Sequence, residues 1–162
     1  MELAQDLLYQ AHFLAANRGH DTPQADRRRA ISTAYYALFH LLVEDGGKRW
    51  QGSSPAAATG IERAFSHGAM KQSSIRFKGS EWVDWHDIKQ AVPTRLQRVA
   101  SAFVELQEAR HTADYNNHKQ WTFVEVAYSL NLAGAAIADW ISIRNDAVAG
   151  DYLLSMLLGS RK

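Results

Sequence analysis

The 162-residue chain has no cysteine, which rules out a disulfide scaffold, a thiolate metal site and a cysteine nucleophile. A reducing, cytoplasmic setting is the expectation. It also lacks a dominant charge: 18 Lys+Arg against 17 Asp+Glu leave a net charge of +1, so no global field draws a polyanion. Any nucleic-acid binding has to come from a local patch. No uninterrupted apolar run approaches about eighteen residues, and the opening MELAQDLLYQ has acids where a secretory signal carries bases. Neither membrane association nor a leader is expected. Catalytic motifs are missing too. The seven histidines are scattered, with no HExxH and no paired-carboxylate spacing, so no metal site is expected. GxxxxGK[ST], GxGxxG and GxSxG are absent, which sets aside nucleoside-triphosphatase, dinucleotide and esterase chemistry, and no cofactor is implied.

What is present is helical periodicity. With 46% hydrophobic and 22% charged residues, the chain suits one domain over 1–162 that can bury a core. Leu3, Leu7, Ala11 and Leu14 place a helix over Glu2 to Arg18, stopped at Gly19. Thr22 as cap and Pro23 as first helical residue open a second helix, with Ile31, Tyr35, Leu38 and Leu42 inward and Gly46-Gly47 as its end. Ser54-Pro55 starts a third, running through AAATGIERAFSHGAMK. Residues 72–91 keep no period, and Trp82 and Trp85 there suggest an ordered loop or short turn. A fourth helix runs from Pro93 to about Tyr115. After the NNHKQW loop, Thr122 and Glu125 form a capping-box signature for a fifth, which carries Phe123, Val126, Leu130, Ala133, Ile137 and Ile141. A sixth, capped by Asp151, covers DYLLSMLLGS; the apolar segment 151–162 must pack on the bundle or on a partner chain. No stretch alternates with period two, and nothing repeats at long period. The expected fold is all-α, an up-and-down four-helix bundle with additional short helices.

The chemistry concentrates at EARHTADYNNH, residues 108–118. The fourth helix's stripe of Val92, Leu96, Val99, Phe103 and Leu106 continues in register to Arg110, so a cation stands where a core residue is due. A buried guanidinium must be paired, reach solvent or line a cleft. Arg110 with Asp114, and His111 with Tyr115, are i, i+4 pairs on adjacent rows. One reading is a structural ion pair with Arg110 snorkelling outward. The other is an anion site at Arg110 with His111 or Tyr115 as acid or base. Ser32, Tyr36 and His40 form a polar row on the second helix, and Arg63 and His67 are i, i+4 on the third. Each is either a satisfied or solvated face, or part of the same site. Asp26-Arg27-Arg28-Arg29 reads as a solvated basic collar, with phosphate contact by one or two arginines as the alternative.

RRAISTAYYALFHLL resembles the second-helix signature of HEPN domains, and LQEARHTADYN resembles their late-helix motif. IERAFSHGAMK looks like the intervening helix of a bacterial subgroup with an Arg-His-x-Ala-Asp-Tyr motif. The likeness spans roughly residues 1–145. It implies a helical bundle, commonly a homodimer in which the arginine-bearing helices face each other. It further implies metal-independent ribonuclease activity in toxin–antitoxin, abortive-infection or other defence systems, with RNA or a nucleotide as ligand. An antitoxin or nucleotidyltransferase partner is implied as well. Under it, Arg110, His111, Asp114 and Tyr115 are the catalytic candidates, and Ser32, Tyr36, His40, Arg63 and His67 the phosphate-binding ones. The family's usual histidine, separated from its arginine by four to six residues, is replaced here by Tyr115, Asn116 and Asn117, with His118 one position further on.

Overall fold

A computed structural model describes residues 2–52 and 54–159. Within them lie seven α-helices, α1 Glu2–Ala16, α2 Gln24–Trp50, α3 Pro55–Ala64, α4 His67–Phe77, α5 Thr94–Tyr115, α6 Phe123–Ile143 and α7 Ala147–Leu158. A short antiparallel hairpin, β1 Glu81–Val83 and β2 Lys89–Ala91, pairs Trp82 with Gln90. The four long helices α1, α2, α5 and α6 pack on one another around α2, while α4 lies against α5 and α7. Their shared core holds Ile31, Leu38, Phe103, Leu106 and Trp140, all fully buried. α6 has the length and hydropathy of a membrane span, with 44% of its most apolar window buried inside the protein. Its inward residues Val126, Leu130, Ala133 and Trp140 form part of the core, the behaviour of a central bundle helix.

The mostly helical expectation holds, with five local corrections. First, Gly46-Gly47 does not end α2, which runs on to Trp50. Both glycines are buried, because α3 and its exit cross there: a Cβ on Gly46 would lie 2.4 Å from Phe65 Cζ, and one on Gly47 would lie 2.7 Å from Glu62 Oε1. Close approach, not termination, requires glycine. Gly46→Ala is therefore expected to lower unfolding free energy by about 1–3 kcal/mol through overpacking. Gly60→Ala, at an open helical position with nothing within 4 Å, should raise it by about 1 kcal/mol. Urea unfolding of both variants checks the opposite signs.

Second, the third helix is two. α3 ends at Ala64, and Phe65 and Ser66 are extended before Ser66 caps α4 through Ala69 N. Third, α4 continues through residues 72–77, where Ser73 and Ser74 are buried in place of apolar residues and hide the period. Ser74 Oγ bonds its own Met70 carbonyl and the Tyr152 hydroxyl, both at 2.7 Å. The hairpin follows, anchored by Trp82 on Phe77 with ring centres 4.6 Å apart. At three residues each, its strands are too short to show alternation.

Fourth, α7 starts after Asp146, so Asp151 lies inside it, and Tyr152, Leu153 and Met156 pack into the protein's own core. The last three residues of the 151–162 segment lie outside the described residues, as does Ser53 of the linker. Fifth, Thr22 and Pro23 stand one place earlier than expected, with α2 opening at Gln24; the Thr22 hydroxyl bonds the carbonyls of Ala15 and Gly19. On α1, Leu3 faces solvent while Ala4 and Ala11 are buried. The Thr122–Glu125 capping box of α6 forms as expected. Lys119 first, then the Thr122 N–H, hold the Glu125 carboxyl down to about 2.

Candidate functional site

The stripe that begins at Val92, just before α5, and continues along the helix is buried as far as Leu106, and at its next step Arg110 keeps a side-chain exposure of 15%. Its guanidinium Nη2 donates to the Tyr36 hydroxyl at 2.8 Å, and Nε lies 3.0 Å from Asp114 Oδ2 without the N–H pointing at that oxygen. The other Asp114 oxygen accepts from Ser32 Oγ at 2.5 Å. Ser32, Tyr36, Arg110 and Asp114 thus form one chain of contacts between α2 and α5. The rings of Tyr36, Tyr35 and Tyr115 lie 5.5, 5.9 and 5.9 Å from the guanidinium carbon, within cation–π reach. Burial opposes the Arg110 charge, but the Tyr36 hydrogen bond and the Asp114 carboxylate outweigh it and raise its pKa. Among the described residues, Nη1 has no hydrogen-bond partner.

His67, the first residue of α4, enters from the other side. Its Nδ1 lies 2.6 Å from the Tyr35 hydroxyl, its ring stacks on Phe39 at 4.4 Å, and its carbonyl accepts from Gln107 Nε2 at 2.9 Å. Burial pushes the Tyr35 phenol far above its ordinary range, so it keeps its proton and donates to Nδ1. His67 then carries its own hydrogen on Nε2. Burial first, then the Arg110 and His40 charges, lower the His67 pKa; burial alone lowers that of His40, which stacks 6.0 Å from Tyr36.

These shifts carry a pH dependence. Both histidines bind protons less well folded than unfolded, so their contribution is fully present above the unfolded pKa near 6.5 and falls as pH drops below it. Urea midpoints are expected to decline from pH 7 to 5.5, above the window where carboxylates titrate. Replacing both His40 and His67 by Gln should flatten that decline.

Arg110 and His111 line one cavity of about 340 Å3, together with Lys71, Gln107 and Glu108. Lys71 Nζ is 3.0 Å from Glu108 Oε1. His111 is exposed, with its ring 5.0 Å from that of Tyr115. The structure therefore brings Ser32, Tyr36, His67, Arg110, Asp114 and Tyr115 together, sets His111 at the same cleft and His40 at its aromatic edge. Arg63 is not brought in. It is exposed near the end of α3, and the break at Phe65 and Ser66 removes the helical register that would have joined it to His67. Among the described residues, no group of three or more His, Asp or Glu side chains is gathered as metal ligands.

The basic collar also needs correction. Arg27 donates to the carbonyls of Trp121 and His20, and Arg28 to those of Ala113 and Lys119, at 2.5 to 2.8 Å. Gln24 exchanges two further bonds with the Trp121 backbone. Arg28 thereby satisfies a free carbonyl in the last turn of α5, that of Ala113 two residues before Tyr115, and its bond to Lys119 fixes the loop behind the site. Only Arg29 of the three is fully exposed. Sequence reasoning missed Tyr35, counted in the apolar row though its hydroxyl serves the site, and Lys71 and Gln107, whose only signal was proximity across a helix pair. Compared with protein-family models, curated proteins and solved structures, the chain matches none.

Proposed function

We propose that this HEPN-like chain binds RNA through the cleft of Lys71, Arg110 and His111, and cleaves it without a metal as part of a toxin–antitoxin or other defence system. One observation carries the reading: an arginine fixed by Tyr36 and Asp114, with one guanidinium nitrogen unpartnered among the described residues, shares a cavity with a solvent-exposed histidine. Guanidinium N–H groups suit phosphate oxygens, and histidine is the side chain best suited to move a proton near neutral pH. Arg110 would hold the non-bridging oxygens of one phosphate. His111 would take the proton from the adjacent 2′-hydroxyl, whose oxygen attacks phosphorus; the P–O5′ bond breaks, leaving a 2′,3′-cyclic phosphate, and the departing 5′-oxygen takes its proton from the solvent that reaches the exposed cleft. Neutral His67, with hydrogen on Nε2, would serve as a hydrogen-bond donor in this scheme and not as the acid. In the homodimer that the resemblance implies, each α5 faces its mate, and an antitoxin or nucleotidyltransferase would act on that assembly.

A second reading draws on the same contacts. Asp114 already neutralises Arg110, which suits a non-catalytic dimerisation or interaction module with a degenerate site. Binding and cleavage of a labelled single-stranded RNA in the presence of a chelator, with growth on expression as a further readout, separate the two when the natural chain is compared with Arg110→Ala and His111→Ala. Loss of cleavage in both variants, with binding weakened in Arg110→Ala, supports the nuclease; three equal results support the module.

A further inference from the structure

A larger cavity, of about 660 Å3, lies at the hairpin, lined by Arg76, Trp82, Asp84, Trp85 and Asp87 among others. Its size suits a nucleotide-scale ligand. Trp82, 7% exposed, is backed by Phe77, and Trp85 meets it edge-on with ring centres 5.8 Å apart at 76°. Both indole Nε1 atoms are shielded from solvent and have no hydrogen-bond partner among the described residues. Asp84 is spent on the turn, accepting from the N–H groups of His86 and Ile88 and from Gln90 Nε2. Asp87, held in the left-handed region at φ 60, has a carboxylate with no partner among the described residues. Arg76 gives one bond, from Nη2 to Ser73 Oγ at 3.2 Å.

An aromatic wall, a guanidinium with spare donors and an unengaged carboxylate share this cavity. A flat ring that offers two acceptors on one edge and two donors on another satisfies all three. Guanine has that pattern: O6 and N7 suit an arginine fork, while N1–H and N2–H suit a carboxylate, and its face suits tryptophan. A quaternary ammonium would also suit the aromatic corner and the acids, yet Arg76 would repel it. We propose that the hairpin cavity binds a guanine base. The RNA reading above supplies the source of that base, since α4 joins the two places: His67 and Phe77 stand about 15 Å apart along it.

The test is calorimetric titration of the full chain with GMP, AMP, CMP and UMP, whose shared phosphate makes the difference report the base. GMP is expected to bind saturably and at least tenfold more tightly than the others. Arg76→Gln and Asp87→Asn should each remove that preference, with circular dichroism confirming the fold; asparagine tolerates the left-handed backbone at 87. Arg110→Ala should keep it, so failure at the Arg110 cleft and failure here are read separately. Four equal affinities, no saturable binding, a preference unchanged by both hairpin variants, or one lost in Arg110→Ala would each overturn the proposal. So would tetramethylammonium binding the cavity in place of GMP.

Discussion

Arg110→Ala is expected to weaken RNA binding by about tenfold to a hundredfold, the loss of one charged hydrogen-bonding group at about 1.5–3 kcal/mol. Cleavage should drop further, by about a hundredfold to a thousandfold, because the donor acts most strongly on the charge developing at phosphorus. The fold should persist. Asp114, with 29% side-chain exposure, keeps access to water and its Ser32 bond once the guanidinium is gone. Arg110→Lys retains the charge but loses the fork, and should fall between the two. Arg110→Met separates function from packing. As a plain ion pair on a core stripe, Arg110 could be exchanged for a well-packed methionine at little or no loss of stability. In a binding site the same exchange leaves the melting temperature nearly unchanged and removes RNA binding. Fluorescence anisotropy and thermal melts on one set of samples give both answers. RNA binding and cleavage unchanged in Arg110→Ala would remove this residue from the proposed mechanism.

Trp140→Ala should cause the largest loss of stability, about 3–5 kcal/mol, because it empties the space of a fully buried indole. At about 2–4 °C per kcal/mol for a chain of this size, the melting temperature falls by about 6–20 °C. Trp140 joins three elements. It lies on α6, donates Nε1–H to Asp45 Oδ2 of α2 at 2.7 Å, and meets Tyr152 of α7 edge-on with ring centres 6.1 Å apart. Asp45 also has Arg144 Nη1 at 3.5 Å, so its carboxylate is not orphaned by the change. Trp140→Phe keeps most of the volume and loses the hydrogen bond, and should cost about 1–2 kcal/mol. Thermal denaturation followed by circular dichroism distinguishes the pair. Similar losses for the two variants would place the energy in the hydrogen bond and not in the packing.

How far each element could be read from the sequence follows from the range of the forces that set it. The stripe from Val92 to Leu106, the cap at Thr122 and Glu125, and the ion pair of Arg110 with Asp114 are local. They depend on residues three or four apart on one helix, and each appears as the periodicity requires. The row of Ser32, Tyr36 and His40 was visible as a row, but what it faced was not. Ser32 meets Asp114 across 82 positions and Tyr36 meets Arg110 across 74, distances at which spacing carries no information.

The misreadings have the same origin. Gly46-Gly47 looked like a stop because glycine is costly in a helix, yet Phe65 and Glu62 crowd those positions and make the missing Cβ a packing requirement. Arg27 and Arg28 looked like free charges because nothing nearby in sequence could hold them. Four carbonyls, two of them in the 116–121 loop, do so in the fold. Buried Ser73 and Ser74 interrupt the apolar pattern of α4 because Tyr152, on α7, supplies Ser74 with a partner. The sequence by itself determined the helical class, the four long helices and the residue type at the centre of the site. Only the tertiary structure decided what those residues face, because a side chain's environment is set by the elements packed against it, and helical periodicity reports the direction of a face but not its neighbour.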